Sequence, residues 1–338
     1  MLKSKFFIAA TALAAIAFAG VAEAQTKIKV GRTLSGSGFH IPVYIAYSKG
    51  LFKKEGLDAE MVSMTGKALV TAGVSGNIDF LPVPGGGSQA SLQGANLKYV
   101  VGESLISQWA LVADPKIKSV KDLKGKTVGY GRAGAADYDE GEIVLSRFFD
   151  MRVGRDYKVI SFQAESDRVA GLINGDIVAG LMSFPTAARA QVAGFKMLVK
   201  TGQYLPRVGG SIWTRAEYVE KNRDTVKKFI RAIANSIEYL RNNKEGSVEV
   251  IMAEFGLKDK KQAGIVWDEI HDQYSPDLPA DLFKKLFEGR QKRMVKRGLW
   301  PKDKPMPDVN QFIARELLDE TLREMGYFLQ PRPKPDAS

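Results

Sequence analysis

Cysteine is absent from the 338 residues, and histidine occurs only as His40 and His271. The first absence excludes a disulfide framework, a thiolate metal site and a cysteine nucleophile. It also removes the residue that a bacterial lipoprotein leader needs for acylation, so no lipid anchor is expected. With only two histidines, no spacing suggests a metal pair or a Ser-His-Asp triad, and no metal or cofactor is expected. No fixed-period repeat and no long linker divides the chain. After the first 24 residues no apolar run reaches spanning length, so no stable membrane insertion is expected.

The beginning of the chain reads as an export leader. Lys3 and Lys5 precede the apolar stretch "FFIAATALAAIAFAG", and "AEA" at 22–24 places small residues at both cleavage-determining positions. The mature chain is expected to begin at Gln25, as a freely soluble protein of a Gram-negative periplasm. The formal charge is +11, and removal of Lys3, Lys5 and Glu23 with the leader leaves +10. That field favours anionic partners over a range set by salt screening, without naming one. About 314 residues remain, enough for two domains with cores of their own.

Short apolar runs alternate with helical patterns. "KIKVGRTL" (27–34), "LDAEMVSM" (57–64), "IDFLPVP" (78–84) and "LKYVVGES" (97–104) read as strands, separated by helices over 42–50, 67–76 and from 86 onward. In "PVYIAYSKG" Pro42 suits a first helical turn and Gly50 a C-terminal stop. A second series follows, with strands at 109–115, 126–131, 157–163, 177–184 and 195–200 and helices over 138–150, 166–176 and 186–194. Ser119 caps a short helical turn between the first two of these strands. Such alternation predicts an α/β fold with parallel pairing through right-handed crossovers. From about Asn222 the chain turns mostly helical, and the end of "QPRPKPDAS", residues 331–338, reads as a loose tail.

The stretch "HIPVYIAYSKGLFKKEGLDAEMV" resembles the start of the nitrate/sulfonate/taurine-type substrate-binding proteins of ABC transporters, the NMT1/THI5-like group. "VSGNIDF", "SVKDLKGKTVGYGRAG", "RVAGLINGDIVAGLMSFP" and "FIRAIANSIEYL" continue the resemblance in order from about residue 27 to 245. The resemblance implies a two-lobed periplasmic binding fold with a ligand cleft between α/β lobes. One lobe would take 25–112 and 211–330, the other 113–210. Hinges would lie near Val112–Pro115 and Pro206–Ser211, and closure about such hinges is a known mode.

Several segments are candidates for ligand contact. The loop 34–40 lies at a strand end, where open α/β sheets bind ligands. It offers the Ser35 and Ser37 hydroxyls, close approach at Gly36, an aromatic wall at Phe39, and His40 as a donor to a carboxylate or sulfonate. A surface or capping role is the plainer reading of His40. Thr65 is either a helix cap or a contact. Gly86, Gly87 and Ser88 either present amides to a ligand or form a tight turn. Gln108 and Trp109 stand near the first crossing, and Phe184 faces the cleft from the second lobe. In "GRAGAADY" the amides of Gly134, Ala135, Ala136 and Asp137 meet an anion at a helix start, with Arg132 adding charge. The alternative there is an ordinary turn with Asp137 as N-cap. "GYGRAG" also matches a dinucleotide fingerprint, but the next strand ends in Gln163 rather than an acid. The basic run 290–297 lacks the aromatic interleaving of a nucleic-acid surface and reads as a solvated helix face.

The family's fungal pyrimidine synthases use a cysteine-rich motif and an iron-binding histidine, and this chain has no cysteine. The expectation is a monomeric, non-enzymatic receptor that captures a small anion and delivers it to an ABC permease, with no nucleic-acid partner. An exported enzyme of the same fold and a sensor subunit remain open alternatives. For the ligand, a sulfonate, carboxylate or aromatic acid competes with a pyrimidine, thiamine or flavin precursor.

Overall fold

The computed structural model describes residues 25–34, 37–133 and 136–330, excepting the side chain of Ala136. The expected leader and tail therefore lie outside the described residues. β1 (Thr26–Thr33) pairs in parallel with β2 (Leu57–Met64), in register from Thr26↔Leu57 to Thr33↔Met64. Between them run α1 (Ile41–Ser48) and the single turn α2 (Leu51–Lys54). Pro42 sits in the first turn of α1, where its missing N–H costs nothing. Gly50 turns the chain from α1 into α2 at φ 69°, a left-handed conformation that favours glycine. Phe52, carried by α2, is buried and stacks on Phe229 with ring centroids 5.3 Å apart.

α3 (Gly66–Val74), α4 (Pro84–Leu92) and β3 (Leu97–Ile106) complete the first pass through this lobe. The expected strand at 78–84 is reduced to two single bridges, Val30↔Phe80 and Leu81↔Trp213. Pro82 and Pro84 supply no amide donors, so a ladder cannot extend there.

The chain then builds a five-stranded sheet from β4 (Trp109–Ala113), β5 (Thr127–Tyr130), β6 (Lys158–Ser161), β7 (Ala179–Ser183) and β8 (Lys196–Lys200). Its order is β6-β5-β7-β4-β8. α5 (Ala136–Phe148), α6 (Glu165–Asn174) and α7 (Phe184–Val192) connect these strands. β5 is parallel to β6 and β7, whereas β4 is antiparallel to both β7 and β8. The expectation of parallel pairing throughout therefore fails at β4, the strand that enters from the other lobe.

On its return the chain forms β9 (Pro206–Arg215), antiparallel to β3. The sequence reading assigns no strand to "PRVGGSIWTR" and places a hinge at Pro206–Ser211 instead. The change of sheet falls at Ser107–Gln108 on the way out and at 201–205 on the way back. Both positions precede the expected hinges, because Trp109–Ala113 are hydrogen-bonded into the second sheet and Pro206–Ser211 into the first.

The remaining helices are α8 (Ala216–Lys221), α9 (Arg223–Asn242), α10 (Lys244–Phe255), α11 (Lys260–Ile270), α12 (Ala280–Lys296) and α13 (Arg315–Glu324). Val226, Phe229, Ile230, Ile233, Ile237 and Leu240 recur at spacings of three and four, giving α9 one buried apolar face. Phe229 stacks on Phe80, and each buried phenylalanine contributes about 1.5–3 kcal/mol over an exposed one. The last third of the chain also closes the free edge of β3. Gly102 N–H donates to Pro276 C=O at 2.8 Å, Ser275 N–H to Glu103 C=O at 2.8 Å, and Ala314 N–H to Tyr99 C=O at 2.9 Å.

Candidate functional site

The two crossings and the loop after β1 converge. Gly209 and Gly210 in β9 let that loop lie directly on the strand: a Cβ on Gly209 would stand 2.7 Å from Phe39 Cδ1. A Cβ on Gly38 would stand 2.8 Å from Gln108 Oε1 and 3.7 Å from Pro185 Cδ in the first turn of α7. The loop of one lobe thus touches the crossing strand and a helix start of the other. Phe39 meets Trp109 edge to face across the same junction, with centroids 6.4 Å apart. Both rings are half-buried and so remain open to a ligand.

Beneath these rings lies a buried polar layer. His40 Nδ1 is 2.6 Å from Glu103 Oε2, and both side chains are buried. Burial pushes the Glu103 carboxyl above its ordinary value, and His40 beside it opposes that shift. Glu103 Oε1 has no partner among the described residues. Gln108 Nε2 donates to the Tyr274 hydroxyl at 2.9 Å, and that hydroxyl donates onward to the Gly38 carbonyl. Burial raises the Tyr274 phenol well above its usual range, so it stays a donor. Ser37 N–H donates to the Tyr44 hydroxyl at 3.0 Å, which fixes the entry to α1.

A second polar group ties the crossings together. Thr201 Oγ1 lies 3.0 Å from Ser107 Oγ and 3.1 Å from the Trp109 carbonyl, and bonds the Glu140 carboxylate of α5. Glu140 is buried and also pairs with Arg207 of β9. Both crossings are therefore anchored to the same helix of the second lobe.

The sequence candidates separate against this geometry. Phe39, His40, Gln108 and Trp109 come together at the junction, with Ser37 at its edge. His40 is buried rather than on the surface; it stands at the N-cap position of α1, but its side chain makes no cap hydrogen bond and its ring is held by Glu103. Thr65 Oγ1 accepts from Ala68 N–H at 3.4 Å and caps α3. Gly86 and Gly87 amides both donate to the Val83 carbonyl at 3.0 Å, and the Ser88 hydroxyl donates to Gly85 C=O. Those groups serve the first turn of α4 and do not present free donors. Phe184 is 1% exposed and belongs to the core, so it does not line the cleft. Asp137 is not the cap of α5, which begins at Ala136. Its carboxylate accepts from Gly131 N–H at 3.1 Å and lies 2.8 Å from Arg168 Nη2 in a buried pair. Arg132 is exposed and bonds Gln163. Ser35, Gly36, Gly134 and Ala135 lie outside the described residues, as does the Ala136 side chain.

Glu103, Glu140, Thr201, Arg207 and Tyr274 were not singled out in the sequence. Glu103 alone left a signal, being a carboxylate inside the apolar run "YVVGESLI". The basic run 290–297 also departs from expectation at its first residue. Arg290 is half-buried against α4, not on a solvated face. Among the described residues no group of three or more His, Asp or Glu side chains could hold a metal ion.

This arrangement resembles known proteins at several levels. YtlA of Bacillus subtilis (strain 168), whose name proposes a binding protein, is 28% identical over 317 residues, covering 89% of this chain and 92% of that protein. The 4-amino-5-hydroxymethyl-2-methylpyrimidine phosphate synthase THI5 of Saccharomyces cerevisiae is 25% identical, covering 74% of this chain and 72% of its own. In structure the chain superposes on the periplasmic aliphatic sulphonate binding protein SsuA from Escherichia coli with a TM-score of 0.69 at 19% identity. That match covers 87% of this chain and 99% of the other, and establishes the two-lobed periplasmic binding fold. The family model described as NMT1/THI5 like matches residues 38–247, more than half of the chain. The chain belongs to the NMT1/THI5-like family.

Proposed function

We propose that this protein is the solute-binding component of an ABC importer, which closes over one small ligand and delivers it to a membrane permease. The lobes are taken as 25–106 with 206–330, and 109–200, with the leader directing a monomer to the periplasm. The observation that carries the reading is the Phe39–Trp109 contact. Half-buried aromatic side chains from the two lobes face each other where both crossings meet, over a polar layer joined by the His40–Glu103 and Gln108–Tyr274 contacts. Such an arrangement suits capture between lobes, since ligand contacts on both sides favour the closed state. Its titratable members are engaged with one another, His40 with Glu103 and Glu140 with Arg207. This supports binding over turnover.

The ligand class is a small organic anion, a sulfonate or carboxylate, in keeping with the formal charge of +11. A panel of alkanesulfonates, carboxylates and aromatic acids tests the proposal by thermal shift and tryptophan fluorescence. One ligand at about 100 times its Kd stabilises the fold by about 2.7 kcal/mol. A panel without any stabilising member, together with no solute retained in native mass spectra, would sink it. The similarity to THI5 favours a pyrimidine as the second ligand class, and mass spectrometry of the mixture after incubation separates binding from turnover.

A further inference from the structure

We propose that Arg290, supported by its neighbour Arg293, is the residue that selects the oxyanion head group of the ligand. The inference deepens the receptor reading above and rests on it. α12 packs on α4 and β9, which places Arg290 between the first turn of α4 and the second crossing. Its guanidinium lies so close to Gly85 that a Cβ there would be 2.6 Å from Nη2. Among the described residues Arg290 Nε is buried and has no partner, and Nη1 makes only a long 3.5 Å hydrogen bond to Gln89 Oε1. Among the described residues, neither Arg290 nor Arg293 forms an ion pair.

The surroundings are cationic. Arg293 follows at i+3 on the same helix face, and Arg297 is the C-cap residue of α12. Arg207 approaches from β9, and its charge is already taken by Glu140. Burial, then repulsion from Arg293, Arg297 and Arg207, pulls Arg290 down to about 10, with Tyr99 opposing. Asp139 of α5 opposes the lowering of Arg293, but among the described residues it forms no ion pair with it. A half-buried guanidinium without a counter-charge is unfavourable in the empty protein. An anion bound in the cleft supplies that charge. The planar fork matches the paired oxygens of a sulfonate or carboxylate, which a lysine cannot reproduce. Arg290 also lies outside residues 38–247, so the selecting group comes from a part of the chain that the family model does not match.

The test compares butane-1-sulfonate and benzoate with butane-1-sulfonamide and benzamide at constant ionic strength. Thermal shift is measured on the full chain, Arg290→Gln, Arg290→Lys and the exposed charge control Arg323→Gln. The expected result is stabilisation of the wild type by an anion over its amide, with at least a tenfold loss of affinity in Arg290→Gln. Arg290→Lys should keep part of the binding, and Arg323→Gln all of it. Without ligand, Arg290→Gln should melt no lower than wild type, whereas an arginine needed only for packing would lower the melting point. Equal anion binding by wild type and Arg290→Gln, or equal binding of anions and amides, overturns the inference while the receptor reading stands. Phenylglyoxal labelling read by mass spectrometry covers the case in which no probe binds. Protection of Arg290 but not Arg323 by sulfate supports the arginine site and counts against the receptor reading, and no protection overturns the inference.

Discussion

Replacing His40 by phenylalanine would remove the only partner that Glu103 Oε2 has among the described residues, while keeping a ring of similar volume. Glu103 is fully buried and its Oε1 is already unpaired, so the variant leaves a carboxylate with no bonded oxygen. Removing one member of a buried pair typically costs about 3–5 kcal/mol. At about 2–4 °C per kcal/mol for a chain approaching this size, the melting temperature should fall visibly. The cost also depends on pH in a defined direction. Burial raises the folded-state pKa of Glu103 above its ordinary 4.5, so the fold binds this proton more tightly than the unfolded chain does. The contribution of Glu103 is therefore fully present below 4.5 and lost as pH rises through the folded value. His40 opposes the rise, so without it the folded value moves higher and the loss extends further, at up to about 1.4 kcal/mol per pH unit. Urea unfolding from pH 5 to pH 8, followed by tryptophan fluorescence, should show the His40→Phe penalty growing with pH. Glu103→Gln, which keeps a hydrogen-bonding group, should cost nearer 1 kcal/mol and show no such growth. A penalty below 1 kcal/mol, or one independent of pH, would refute this account of the pair.

Three further outcomes follow from the same contacts. Tyr274→Phe deletes the hydroxyl that bridges Gln108 and Gly38; it should cost about 1–3 kcal/mol and speed hydrogen exchange at residues 38–40. Gly102→Ala would drive a Cβ into the backbone carbonyl of Asp277, and loss of soluble, folded protein is expected because neither backbone can yield. A well-folded Gly102→Ala would show that the C-terminal segment is not held against β3. Lys200→Ala breaks the 2.6 Å bridge to Glu269, which joins β8 of one lobe to α11 of the other. Because Lys200 is about one-third exposed, chemical denaturation should report a change of at most about 1 kcal/mol, and a larger loss would show a stronger latch.

Local rules were legible in the sequence and distant partnerships were not. "LDAEMVSM" became β2 residue for residue, Gly50 stopped α1, and Ser119 with Asp122 formed the expected capped turn, where Asp122 accepts from Ser119 N–H at 2.8 Å. These depend on periodicity and capping within a few residues. The strand at 206–215 was missed because proline and paired glycines are poor strand formers, and what makes room for them, Phe39 and Ile106 lying against Gly209, is distant in sequence. The polar layer was missed for a similar reason. His40 and Glu103 are 63 residues apart, and Tyr274 reaches Gly38 across 236. Of the candidate residues, Phe39, His40, Gln108 and Trp109 come together in the fold, although the sequence set the first crossing at Val112–Pro115, past the change of sheet at Ser107–Gln108. It overvalued the glycines of α4, whose amides face inward to Val83, and read Arg290 as solvated.

The C-terminal segment along β3 implies an order of events during synthesis. All five strands of the second sheet come from one continuous stretch, 109–200, and can pair as soon as that stretch is available. β3 is made earlier but waits for β9 on one edge and for residues 275–314 on the other. The first lobe carries the longest chain closures in the molecule, and such pairings form slowly. Amides of β5 and β7 should therefore gain protection in pulsed hydrogen exchange before those of β3. Until the last third arrives, the run "LKYVVGESLI" would stand as an open, largely apolar strand edge, a surface prone to aggregation in the nascent protein.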